Sequence, residues 1–209
     1  LIASTAAAQN PRYDLLITGG MVIDGTGAPA YRADVAIRGD RIVAISPRVI
    51  GQRSPIDAAT ARRRINATGL IVAPGFIDLH AHLEPILTMP DAESHVRQGV
   101  TLALGGPDGG GASSMGPYLA RVEQQKLGLN VAFLTGHNTI RRAVMGTQDR
   151  AATPDELARM RQMVAESMGQ GAFGLSTGLR YIPGFYSNLD EVVALSQVAA
   201  DSGGFYTSH

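Results

Sequence analysis

Ile71-Val-Ala-Pro-Gly-Phe-Ile-Asp-Leu-His-Ala-His-Leu-Glu84 begins as an apolar run of strand length and ends by placing His80 and His82 two residues apart. Side chains on a strand alternate with period two, so both imidazoles face the same side. Two neutral imidazoles converging from one strand end form half of a transition-metal site. The plain alternative is a strand running out into solvent, which would suit a bare His-x-His. Here the pair closes a strand of buried character that carries the tight Pro74-Gly75 step, and that context favours metal.

Downstream of this stretch, strand-like and helical runs alternate in units of about thirty residues, the pattern of repeated βα units. Strands are expected at Val100–Leu104, Val131–Thr135, Ala172–Ser176 and Phe205–Ser208, with helices at Asp91–Gln98, Pro117–Leu127, from Pro154 and from Leu189. Thr153-Pro-Asp-Glu156 reads as a capping box with proline at the first helical position. Leu157, Met160, Val164 and Met168 follow at helical spacing and read as core. Five parallel strands in sequence match half of an eight-stranded (β/α)8 barrel. A doubly wound open sheet is the alternative, although no dinucleotide glycine fingerprint follows the first strand.

Upstream, the pattern is different. Tyr13–Thr18, Met21–Ile23, Ala33–Arg38 and Arg41–Ser46 read as short strands, the last two joined as a hairpin through Gly39-Asp40. Arg62-Arg63-Arg64 reads as a solvated turn. The domain organisation expected is therefore residues 1–12 as a leader remnant or irregular terminus, 13–69 as a small β unit, and 70–209 as barrel. Leu1–Gln9 has the small-residue character of a leader cleavage region, which implies a periplasmic or secreted protein; a merely alanine-rich terminus would leave it cytoplasmic.

Composition narrows the function classes. Eighteen basic and eighteen acidic residues give zero formal net charge, and no basic stripe suggests nucleic acid. No run reaches the roughly 18–20 apolar residues of a membrane span. The chain has no cysteine, so neither a disulfide nor a thiolate ligand is available.

In a parallel barrel, function collects at the carboxyl ends of the strands. There the sequence places His80 and His82, then Gly105-Gly-Pro-Asp108-Gly-Gly-Gly111, then His137, Ser176-Thr-Gly178 and His209. The glycine-rich loop could cradle phosphate, but it lacks the Gly-Lys-Ser/Thr ending of a P-loop. It could be a simple turn, or its glycines could bring the backbone close and aim Asp108 at a metal, which is the favoured reading. His137 is expected to hydrogen-bond behind the ligands. His95 reads as a surface residue. Lys126, the only lysine, falls on a helix away from the strand ends.

Taken together, these segments resemble the amidohydrolase superfamily, and within it the N-acyl-D-amino-acid deacylase (D-aminoacylase) family. The likeness runs from Asp14-Leu-Leu-Ile-Thr-Gly-Gly20 and Val22-Ile-Asp-Gly-Thr-Gly27 through Ala73-Pro-Gly-Phe-Ile-Asp-Leu-His-Ala-His82. It continues in Gly136-His-Asn-Thr-Ile-Arg141, Gly174-Leu-Ser-Thr-Gly-Leu-Arg-Tyr-Ile-Pro-Gly184 and Gly203-Gly-Phe-Tyr-Thr-Ser-His209. His-x-His marks only the superfamily, whereas the last two segments are specific to the branch.

The resemblance implies an α/β fold: the first half of a (β/α)8 TIM-like metallo-hydrolase barrel, preceded by a small β-sandwich segment. It implies one or two zinc ions, with His80 and His82 at the more exposed position and His209 at the tighter one. Many members carry a cysteine where this sequence has Asp108. Tyr181 falls where the family contacts the substrate carboxylate. The general base, an aspartate, is expected beyond His209, so the chain would carry part of the site and rely on the remainder of its own barrel. The implied reaction is zinc-dependent hydrolysis of N-acyl-D-amino acids to a carboxylate and a free D-amino acid. The rivals are a cyclic-amide or dipeptide hydrolase (hydantoinase, dihydroorotase or isoaspartyl dipeptidase-like) and a non-catalytic metal-binding half-barrel module. The first group usually uses a carboxylated barrel lysine, which Lys126 is not placed to supply.

Overall fold

Why the chain changes character near Pro74 is visible in a computed structural model, which describes residues 12–49, 51, 52, 54, 56, 57 and 60–209. Apart from Arg12, the expected leader remnant lies outside the described residues. Contacts divide the chain into two units, one ending at Pro74 and the other beginning at Gly75.

The first unit is a sheet ordered β3-β2-β1-β4, with β5 also pairing β1. Strand β1 (Tyr13–Val22) is central, antiparallel to β2 (Tyr31–Arg38) and parallel to both β4 (Ala61–Asn66) and β5 (Ile71–Val72). Two short strands were expected where β1 is one. Its register shifts between Ile17 and Gly20, and Gly19 takes a φ of 72° that glycine accepts without strain. The amide freed at Gly19 donates to buried Asp34, whose Oδ1 also accepts from Arg48 Nε, each at 2.8 Å. The hairpin to β3 (Arg41–Pro47) turns through Gly39-Asp40 as expected. Arg62-Arg63-Arg64 is not a turn. It lies in β4, where ladder bonds to β1 hold an extended backbone and leave the charged heads in solvent.

The second unit carries parallel strands β6 (Phe76–Asp78), β7 (Val100–Gly105), β8 (Asn130–Phe133), β9 (Thr135–Gly136), β10 (Gly174–Thr177) and β11 (Phe205–Ser208). They form the ladders β6-β7-β8 and β9-β10-β11. Only Leu134 separates β8 from β9, and Phe173 N–H bonds Phe133 O at 2.8 Å across the two ladders. The spatial order follows the chain without the reversal of a doubly wound sheet, so this is the strand succession of a (β/α)8 barrel.

Helices α1 (Glu93–Val96), α2 (Met115–Glu123), α3 (His137–Met145), α4 (Pro154–Gly169) and α5 (Leu189–Asp201) fill the connections. Among the described residues none is long and apolar enough to cross a membrane. The capping box at Thr153 is present, and Asn188 caps α5 through Glu191 N–H at 2.9 Å. Met160 and Val164 are fully buried with Leu175, Leu195 and Ala199, so the helical stripe read as core is core.

The first strand does not run unbroken from Ile71. Ile71 and Val72 belong to the sheet of the first unit, and the barrel strand starts at Phe76. Gly75 sits so close to Thr101 that a Cβ there would lie 2.2 Å from its side chain. This close passage explains the glycine after Pro74.

Candidate metal centre

His80 and His82 lie just beyond β6 rather than within it. Pairing nevertheless extends past the strand, since Ala81 N–H donates to Leu104 O at 3.0 Å. The alternation therefore persists: Ala81 and Leu83 are buried in the core, while His80 and His82 point out at the strand end. Asp78 Oδ1 accepts from His80 N–H at 3.1 Å and tightens this corner.

Asp108 meets them from the loop after β7. Its Oδ2 lies 3.5 Å from His80 Nε2 and 3.4 Å from His82 Nε2. One ligand atom from each of the three residues lies within 4.8 Å of the others. His209, directly after β11, brings Nδ1 to 3.1 Å from the other oxygen of Asp108, Oδ1. That approach does not meet hydrogen-bond geometry: Oδ1 is buried without a donor. One carboxylate thus faces two imidazoles on one oxygen and a third imidazole on the other.

The loop is held by its backbone. Asp108 adopts a φ of 61°, which aspartate tolerates better than most side chains. Gly109 N–H donates to Ser176 Oγ at 3.0 Å, and Ser176 Oγ–H donates to Gly106 O at 2.6 Å. Thr139 N–H donates to Gly109 O at 3.2 Å. A Cβ on Gly178 would sit 2.1 Å from Asp108 O, so the loop after β10 passes close only because that residue is glycine. The amides of Gly109 and Gly110 are both spent inside this region, which argues against a phosphate cradle.

Two imidazoles are also held on their far nitrogens. Glu84 Oε1 lies 3.3 Å from His82 Nδ1, and the Tyr181 hydroxyl lies 3.3 Å from His209 Nε2. Ser176 stood at a strand end in the sequence without a role assigned to it, and Thr139 and Glu84 carried no functional signal. Serine in a strand and glutamate after a histidine are too common to single out, and Thr139 holds the loop through its N–H and through Oγ1, which donates to Gly111 O at 3.4 Å.

His137 is fully buried at the start of α3, and its Nε2 lies 2.7 Å from Glu191 Oε1. Glu191 also accepts from Arg141, whose NH2 donates to Arg150 O at 2.6 Å and Tyr186 O at 3.2 Å. None of its hydrogen bonds reaches His80, His82, Asp108 or His209. Through Nε2 the side chain joins α3 to α5, while Nδ1 is buried without a hydrogen-bond partner. Burial raises the Glu191 carboxyl, but the hydrogen bonds from His137 and Arg141 and their charges outweigh it and hold it below the usual carboxylate range. His95, read as surface, is half-buried, with Nε2 3.8 Å from Asp78 Oδ2. Lys126 lies just after α2, before the amino end of β8, and so at the end of the strands opposite His80.

These side chains fit a metal ion. Ligands about 2.0–2.1 Å from a tetrahedral centre are about 3.3 Å from one another, close to the separations of Asp108 from His80 and His82. A buried carboxylate oxygen with no donor, facing an imidazole nitrogen, is relieved by a shared cation.

Residues 63–205 match the model of the Amidohydrolase family. The chain is 35% identical over 221 residues to D-aminoacylase from Alcaligenes xylosoxydans xylosoxydans, covering 94% of this chain and 44% of that protein. It is 40% identical over 223 residues to N-acyl-D-glutamate deacylase of the same organism, covering 95% of this chain and 44% of that one. The solved structure of N-acyl-D-glutamate deacylase from Bordetella bronchiseptica, complexed with zinc and a phosphonate inhibitor, matches with a TM-score of 0.84 at 36% identity. That match covers 94% of this chain and 45% of the other. The chain therefore spans less than half the length of these relatives.

Proposed function

The chain belongs to the amidohydrolase family, and from that premise we propose that its protein hydrolyses the amide bond of N-acyl-D-amino acids in a zinc-dependent reaction. The products are a carboxylate and a free D-amino acid. The observation that carries the reading is the meeting of Asp108 with His80 and His82 on one oxygen and with His209 on the other. The substrate class rests on similarity to D-aminoacylase and N-acyl-D-glutamate deacylase.

In this reading His80, His82, Asp108 and His209 hold one or two zinc ions. Bound there, zinc would supply Lewis acidity toward a water and the scissile carbonyl. The chain's own residues fix the geometry. Ser176 pins the Asp108 loop, Ala81 and Leu83 anchor the histidine segment in the core, and Glu84 sets the far side of His82. Asp108 replaces the cysteine of many family members, so the site presents only nitrogen and oxygen donors.

The test is a hydrolysis panel of N-acetyl-D and N-acetyl-L amino acids on the full-length protein, after chelation and after zinc is restored. Zinc-dependent release of D-amino acids is expected. Silence on the whole panel, with cyclic amides cleaved instead, would overturn the substrate class and leave the metal site standing.

A further inference from the structure

We infer that Tyr181 is the positioning residue for His209, its hydroxyl holding Nε2 so that Nδ1 is presented to a metal beside Asp108. The inference rests on the metal reading above and adds a role for a residue that the resemblance offers to the substrate instead.

The geometry is specific. Tyr181 Oη lies 3.3 Å from His209 Nε2, and the two rings meet edge to face with centroids 5.1 Å apart. On the opposite side of the imidazole, Nδ1 stands 3.1 Å from Asp108 Oδ1 without forming a hydrogen bond. A neutral imidazole carries one N–H. With that N–H on Nε2 and donated to the tyrosine oxygen, the Nδ1 lone pair faces the carboxylate. Such an arrangement is repulsive until a cation enters between the two. A ligating histidine whose far N–H is held by a fixed acceptor is oriented and made more basic.

The loop that carries Tyr181 is built to deliver it. Asn138 Nδ2, largely buried at the start of α3, donates to Gly178 O at 3.1 Å and Tyr181 O at 3.3 Å. Tyr181 N–H closes back on Gly178 O at 3.0 Å. The tyrosine backbone is thereby tied to the same glycine that lets the loop approach Asp108.

The experiment is a calorimetric titration of the metal-free full chain with Zn2+, comparing wild type with Tyr181→Phe, which keeps the ring against His209 and removes only the hydroxyl. Tyr181 is 45% exposed, so the variant leaves the core intact, and a thermal melt checks this. Zinc affinity should fall by about 10- to 100-fold. Nitrogen-15 spectra of the metal-free protein should show His209 with its proton on Nε2 in the wild type and a mixture of tautomers in the variant. Equal zinc affinity in both proteins, above all with a raised KM in Tyr181→Phe, would overturn this role in favour of a substrate contact. Failure of the wild type itself to bind zinc would overturn the metal reading, and this inference with it.

Discussion

Asp108 Oδ1 lies 3.1 Å from His209 Nδ1 yet receives no hydrogen bond, while Oδ2 of the same carboxylate faces His80 and His82. A lone carboxylate facing three imidazoles from its two oxygens makes Asp108 the side chain on which the proposed centre would depend. Asparagine tolerates the same left-handed backbone, so Asp108→Asn removes the charge with little conformational cost. Bound zinc, measured by elemental analysis after dialysis at fixed free zinc, should fall roughly tenfold or more. Full retention of zinc would remove Asp108 from the ligand set. Asp108→Cys supplies a softer donor and should shift preference from manganese toward cadmium.

Ser176 is fully buried and links the two ends of the Asp108 turn, accepting from Gly109 N–H and donating to Gly106 O. Alanine there leaves two backbone groups without their partner, at about 1–3 kcal/mol. For a chain of this size the melting temperature should fall by roughly 2–12 °C. Zinc affinity should fall with it, because Asp108 loses its brace. A variant with wild-type melting and zinc binding would show that the loop holds its shape unaided.

What could be read from the sequence was mostly local. The capping box at Thr153 and the stripe through Met160 and Val164 each depend on residues within one or two turns. The strand ends that carry His80, His82, Asp108 and His209 follow from periodicity and βα alternation. Helix α3 stayed hidden because Gly136 gives it no side-chain cap and its buried face includes the polar residues His137, Asn138 and Arg141, which break the apolar periodicity. The pairing of His137 with Glu191 was equally out of reach, since the two lie 54 residues apart and no local pattern joins them. Arg62-Arg63-Arg64 was misread for a similar reason: the bonds that make it a strand come from β1, far upstream.

Gly109 and Gly146 both adopt left-handed φ, 75° and 68°, but in different surroundings. A Cβ on Gly109 would meet Asn138 Oδ1 at 2.6 Å and Gly178 N at 2.8 Å, while one on Gly146 would meet nothing within 4 Å. Gly146→Ala places alanine at φ 68° and ψ −135°, a combination reached almost only by glycine, so it should cost about 1–3 kcal/mol of strain and leave zinc binding alone. Gly109→Ala should cost more and weaken zinc binding, because the clash displaces the residue next to Asp108. Equal melting temperatures and equal zinc affinity for the two variants would show that the turn can shift without moving the carboxylate.

Glu191 supplies a prediction about pH. It is buried, accepts from His137 Nε2 at 2.7 Å and from Arg141, and is held below its ordinary value of 4.5. A carboxyl with a depressed folded pKa contributes stability that is complete above the unfolded value and is lost as pH falls through the folded one. Glu191→Gln leaves the Arg141 charge buried and unpaired, so the variant should lose about 3–5 kcal/mol at neutral pH in urea unfolding. As the solution is acidified below 4.5, the wild type should lose that advantage while the variant, with nothing to titrate there, should not. The gap between them should therefore narrow on the acid side. A gap that stays constant through the acid range would mean that Glu191 keeps its charge there and that the acid sensitivity of the fold lies elsewhere.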